Sequence, residues 1–163
     1  VLRKGVVEQI GTPEEVFFSP SSDFVGRLIG DPPINLLDGE IIKKETRTSF
    51  NAQGEFTFSI REDLVDLLEK VTWEENGRSK IRIGIRPRHV KLSETKVSDN
   101  SFQLPVYAVE RKDDASIVSF ALRDTFLIAD VPKGGWDPSG KCWLEFDQDH
   151  LHFFKKSFTL AKK

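Results

Sequence analysis

Lys80-Ile81-Arg82-Ile83-Gly84-Ile85-Arg86 sets an isoleucine at every second position, with basic residues and Gly84 between them. A period of two sends successive side chains to opposite faces of a strand. The isoleucines therefore face a core, and Lys80, Arg82 and Arg86 face away from it. Working outward, the same signature recurs in Leu36-Leu37, Ile41-Ile42 and Phe56-x-Phe58-x-Ile60, then in Val106–Val109, Ile117–Leu122, Phe126–Val131 and Cys142–Phe146. Gly39, Asn51-x-x-Gly54 and Arg123-Asp124-Thr125 read as the turns between them. One amphipathic helix interrupts the series over Glu62–Val71, with Leu64, Val65, Leu67, Leu68 and Val71 as its apolar stripe. About eight short strands and one helix predict a mainly β fold, a small Greek-key barrel or a pair of them.

The first thirty residues follow a different rhythm. Val1-Leu2 and Val6-Val7 flank Lys4-Gly5, a tight-turn signal between two strands. Gly11-Thr12-Pro13-Glu14-Glu15 is a helix start: Thr12 caps, Pro13 needs no N–H at the first position, and Glu15 reaches back. Pro20 ends that helix. Ser21 or Ser22 caps a second one through Ile29, with Phe24, Val25, Leu28 and Ile29 on one face. Gly30 suits a left-handed cap, and Pro32-Pro33 forbid continuation. A boundary at residues 30–34 divides the chain into 1–30 and 31–163.

Composition narrows the function. The 163 residues carry 24 basic and 26 acidic side chains, a net charge of −2 that argues against a general nucleic-acid binder. A single cysteine excludes an internal disulfide and fits a reducing compartment. Methionine is absent, and Val1 opens what reads as a strand, so a longer parent protein is expected.

Candidate chemistry is sparse. Gly135 to Cys142 matches the G-x-x-x-x-G-K spacing of a phosphate loop, but an alternating strand follows where a helix N-terminus is required, and Pro138 removes a backbone donor. We read it as a turn. His150 and His152, with Asp149 and nearby Cys142, have the spacing of a metal site on a strand. The simpler reading is a turn over Asp147–His150 with His152 held by packing, and no metal. Asp113-Asp114 and Glu74-Glu75 are adjacent pairs that a strand would split, so they read as solvated loops. Cys142 lies inside a strand, unsuited to nucleophilic work. Arg82, Arg86, Arg88 and Lys91 form either a stripe for an anionic partner or, more simply, a solvated outer face. Phe56 and Phe58 share a face, as base stacking needs, but core packing is the plainer use. No catalytic residue is visible.

Several segments, in fixed order, resemble the ATP-binding subunits of ABC importers of the maltose and glycerol-phosphate uptake type. They are Val1 to Val16 with its Gly11-Thr12-Pro13, Pro20, Phe24-Val25-Gly26, Ile29 to Pro32 and Asn35-Leu36-Leu37. Gly84-Ile85-Arg86-Pro87-Arg88-His89 is similar to the family's G-I-R-P-E-H segment, with Arg88 where glutamate is common. His152-Phe153-Phe154 is similar to its closing H-L-F. Lys112 to Ala115 lacks a glycine often found there, and Lys155-Lys156-Ser157 replaces the usual closing segment. The resemblance implies that residues 1–30 are a hairpin-helix remnant of the ATPase domain and 31–163 an OB-like (TOBE) regulatory domain. Phosphate loop, signature motif and catalytic glutamate are absent from these residues. ATP and magnesium then belong to the parent protein, with no cofactor, metal or catalytic residue in this part. Implied partners are a second copy through the regulatory domain, membrane permease subunits through the ATPase domain, and a regulatory protein, with no nucleic acid. The implied place is the cytoplasmic face of the membrane. Two rival readings are an oxyanion module, as in the molybdate branch, and an OB-fold binder of single-stranded nucleic acid.

Overall fold

The computed structural model describes residues 1–45, 47–69, 78–133 and 138–155. The chain opens with a hairpin, β1 (Leu2–Arg3) paired antiparallel to β2 (Val6–Val7), turned by Lys4 and Gly5 at φ of 50° and 81°. Helix α1 (Pro13–Phe18) carries the full capping box: Glu15 N donates to Thr12 Oγ1 at 3.2 Å, and Thr12 N donates to Glu15 Oε2 at 2.8 Å. Helix α2 (Asp23–Leu28) is capped by Ser22. Its expected apolar face is only partly used, since Val25 is buried but Leu28 is 56% exposed.

Ten further strands in three sheets follow the helices, with one more strand closing the chain near its end: β3 (Asn35–Lys44), β4 (Arg47–Asn51), β5 (Thr57–Ser59), β6 (Arg78–Ile85), β7 (Val90–Ser93), β8 (Phe102–Pro105), β9 (Ala108–Arg111), β10 (Ala115–Ala121), β11 (Phe126–Pro132), β12 (Lys141–Phe146) and β13 (His152–Lys155). The sheet orders are β13-β6-β3-β4-β5, β7-β12-β8 and β11-β10-β9, antiparallel throughout. Neighbours that are distant in sequence give the crossovers of a Greek-key arrangement. Helix α3 (Glu62–Glu69) is the α-helix inserted among the strands. Leu68 is buried and Leu67 exposed, while the expected extension to Val71 lies outside the described residues. No described helix is long and apolar enough to cross a membrane.

All three larger sheets bury one shared core, with Leu37, Ile41, Phe50, Ile83, Ile85, Val118, Phe120, Leu127 and Leu144 at 2% exposure or less. Phe56 and Phe58 belong to it. Phe56 stacks on Phe102 at 3.9 Å, and Phe146 meets Phe56, Phe58 and Phe102 edge-on, so neither ring is a platform for bases. Asn35, itself buried, exchanges two 2.8 Å hydrogen bonds with the Ile128 backbone and joins β3 to β11.

Three expectations are corrected. Leu36-Leu37 and Ile41-Ile42 are not separate strands, because β3 runs straight through Gly39. Gly39 is there for closeness: a Cβ would collide with the Asn51 carbonyl and the Phe50 ring of β4. The strand expected over Val106–Val109 straddles a break, with β8 ending at Pro105 and β9 starting at Ala108. From residue 34 on, the described residues hold eleven strands rather than about eight, since β4, β7 and β8 have short or polar patterns.

Gly39→Val should therefore cost about 1–3 kcal/mol by overpacking. Urea denaturation followed by circular dichroism would show it as a lower midpoint with an unchanged slope.

Candidate functional site at the seam between helices and sheets

The even-numbered side of β6 points away from the core, as the sequence indicates, but water does not cover all of it. Lys80 is exposed, whereas Arg82 is half-buried and Arg86 is only 3% exposed. Both arginines reach the N-terminal helices. Arg82 forks onto Asp38 at 2.8 and 3.0 Å and sends its remaining Nη1 to Asp23, the first residue of α2, at 2.5 Å. These hydrogen bonds, Asp38 foremost, raise its already high pKa.

Arg86 does more. Its Nη1 donates to the carbonyls of Ile29 at 2.5 Å and Gly26 at 3.3 Å, and its Nη2 to that of Phe17 at 2.7 Å. Those carbonyls belong to the C-terminal turns of α2 and α1, where intrahelical donors run out and the helix dipole is negative. The guanidinium also lies 4.0 Å from the Phe17 ring centroid. Burial, with help from Arg88, pulls its pKa downward, yet a guanidinium stays charged. Gly30 completes the socket. It sits at φ 119°, and a Cβ there would come within 2.7 Å of Arg86 Nη1.

Between the two arginines, on the same face, stands Gly84. A Cβ at this position would press on the Phe154 ring at 2.7 Å and on Ile34 at 2.9 Å. Phe154, from β13, also lies under Gly26 of α2. So Gly84, Arg86, Phe154 and the end of α2 meet at one seam. Ile85 faces the core, and Pro87 is buried in the 3₁₀ turn (Pro87–His89) that directly follows β6. Gly11, Thr12 and Pro13 stand at the opposite end of α1, shaping its start.

A small cavity of 240 Å³ opens beside the seam, lined by Phe17, Phe18, Arg86, His89, His150 and His152 among others. His89, closing the 3₁₀ turn, stacks on His150 with ring centroids 3.6 Å apart and planes 8° from parallel. The grouping expected from the sequence is corrected. His150 lies in a 3₁₀ turn (Gln148–His150) and His152 begins β13, Asp149 is taken by Arg61 at 2.6 Å, and Cys142 is in the core, where burial raises its thiol pKa. His89 and Asp147 join His150 instead. Burial lowers the pKa of His89, and lowers that of His152 to about 4, with the Arg86 charge adding to the latter.

The basic stripe is corrected too, since Arg82 and Arg86 are committed to internal partners. Arg88 stays exposed and Lys91 lies 3.5 Å from Asp147. Asp113 and Asp114 are exposed in the β9–β10 turn, as expected. Glu74-Glu75 and residues 135–137 of the phosphate-loop pattern lie outside the described residues, and the rest of that pattern runs into β12. Ser98 and Ser101 both donate to Glu145, at 2.8 and 3.1 Å, and organise the turn into β8.

These features define an OB-like β fold with a helical appendage strapped to its outer face. Among solved structures it is similar to the cytoplasmic molybdate-binding protein ModG with molybdate bound, at a TM-score of 0.51 and 14% identity, over 75% of this chain and 96% of that one. At that identity the likeness is one of fold. No family profile matches the chain. Among curated proteins it is 40% identical over 155 residues to the sn-glycerol-3-phosphate import ATP-binding protein UgpC of Salmonella choleraesuis (strain SC-B67), covering 94% of this chain and 40% of that protein. UgpC of Yersinia pestis bv. Antiqua (strain Antiqua) is 41% identical over 91 residues, 56% of this chain and 22% of that protein. By sequence, then, the chain is similar to a part of the ATP-binding subunits of ABC importers, and it spans about two fifths of the length of the first relatives it matches.

Two outcomes follow from the seam. Arg86→Leu strands three carbonyls and should cost on the order of 3 kcal/mol. Hydrogen exchange should then quicken in α1 and α2 while β3 and β6 stay protected, with Arg86→Lys recovering only part of the loss. Stability should also fall with acid. His152 stays neutral in the fold down to about pH 4, whereas the unfolded chain takes up that proton near its ordinary pKa of 6.5. The unfolded state thus binds more protons between those values, and stability drops as pH falls from 6.5 to 4. His89 acts in the same direction. Urea midpoints at pH 7 and pH 5 should differ less in His152→Gln than in the parent chain.

Proposed function

We propose that residues 31–163 are the regulatory and dimerisation domain of an ABC-importer ATP-binding subunit, and that residues 1–30 are the last elements of its ATPase domain. The observation that carries this reading is a concentration of exposed apolar side chains in the N-terminal segment. Of the ten large hydrophobics most exposed among the described residues, six fall in the first 28: Leu2, Val6, Val7, Ile10, Phe18 and Leu28. Fully burying such side chains is worth about 1.5–3 kcal/mol each, so their clustering suits a surface made to lie on another body. An ATPase core is the body that fits, given relatives named import ATP-binding proteins and a match to two fifths of their length.

On this reading the solute is a sugar or related polar compound. The whole protein works at the cytoplasmic face of the membrane, against permease subunits, with ATP and magnesium held in the core. A β domain on each subunit can touch its twin through one patch used twice. That contact keeps two cores at high effective concentration while they open and close around ATP. A regulatory protein bound to the same domain biases the motor only if it prefers one of those states. Arg82 and Arg86 give the coupling a rigid lever, because a movement of α1 and α2 must carry β6 with it.

Two measurements test the proposal. Sedimentation of the 163-residue chain at tens of micromolar should show a monomer–dimer equilibrium, and monomer alone would count against dimerisation. Calorimetry with molybdate, tungstate and sulfate should show no saturable heat. A saturable molybdate signal would replace this reading with that of an oxyanion module.

A further inference from the structure

We propose that His89, Asp147 and His150 bind a divalent transition-metal ion of the zinc or nickel class at the seam between the helices and the β body. One ligand atom from each of the three lies within 4.8 Å of the other two. His150 Nδ1 stands 3.6 Å from Asp147 Oδ1, too far for a hydrogen bond. Two ligands of one tetrahedral ion, with bonds of about 2.0–2.1 Å, stand roughly 3.4 Å apart, close to that separation. The same Nδ1 is shielded from water and has no hydrogen-bond partner, an unusual state for a buried ring nitrogen.

The backbone fixes the three groups before any ion arrives. Asp147 N donates to the His89 carbonyl at 3.0 Å, and His150 N to the Asp147 carbonyl at 3.1 Å. Lys91 Nζ approaches Asp147 Oδ2, while Oδ1 accepts from Asp149 N at 3.3 Å and keeps a second lone pair on the side of the imidazole. The adjoining 240 Å³ cavity has room for water to complete the coordination. Two imidazoles and one carboxylate suit zinc, nickel or copper rather than magnesium or calcium. The rings stack nearly parallel, so one of them turns about its Cβ–Cγ bond to aim its lone pair at the ion. Arg86, lining the cavity, and Arg88, next to His89, oppose added positive charge and hold the affinity to the micromolar range.

The test is titration of the chelator-treated 163-residue chain with zinc chloride by calorimetry and with cobalt(II) chloride by visible absorption. One equivalent should bind, cobalt should show the intense d–d bands of a tetrahedral site, and His89→Ala or His150→Ala should each weaken zinc at least tenfold. Asp149→Asn should bind as the parent does. Absence of saturable binding at hundreds of micromolar metal overturns the proposal, as does equal affinity in the His89→Ala/His150→Ala double variant. Should those variants fail to fold, imidazole NMR of the unsubstituted chain decides. Zinc must shift the His89 and His150 resonances most, and the largest shift at His152 would overturn the assignment.

Discussion

One buried cation holds the two parts of this chain together. Helices α1 and α2 have six residues each, far below the length at which a helix persists alone in water. Their caps help, but their C-terminal carbonyls still need donors. Arg86 supplies them from the end of β6, and in return those carbonyls give a buried charge the partners it requires. Each side is untenable without the other. Gly30 makes room for the guanidinium, Phe17 covers its face, and Arg82 secures the opposite end of the same contact through Asp23 and Asp38.

What the sequence made legible was whatever local chemistry decides. The core face of β6, the capping box at Thr12 and Glu15, the Lys4-Gly5 and Asn51–Gly54 turns and the hairpin at Arg123–Thr125 all follow from side chains near one another in the chain. Gly39 was misjudged because a glycine needed for cross-strand closeness looks, in one dimension, like a glycine needed for a turn. Pointing away from the core was equated with pointing into water, which failed at Arg82 and Arg86. The clue lay in their spacing around Gly84. A glycine on the outer face of a strand, flanked by arginines, leaves a gap that only another element can fill.

The histidines make a related point about distance. His150 and His152 are close in sequence but part ways at the start of β13, while His89 comes from the other side of the β7–β12 pairing. Register between strands brings together what sequence spacing cannot. It also explains how a nearly neutral chain concentrates Arg86, Arg88 and three histidines around one seam without any basic run marking a partner.

Phe154 bears on how the chain is made. It belongs to the last described strand, yet Ile34, Gly84 and Gly26 of α2 close around it. Helices α1 and α2 therefore have no complete seat until synthesis has passed β13. Contacts of such long sequence separation form late, because loop closure precedes their reward. Helix α2 and β13 must mature together, and a nascent chain stalled short of β13 would leave Gly26 and Gly84 without the ring that packs against them.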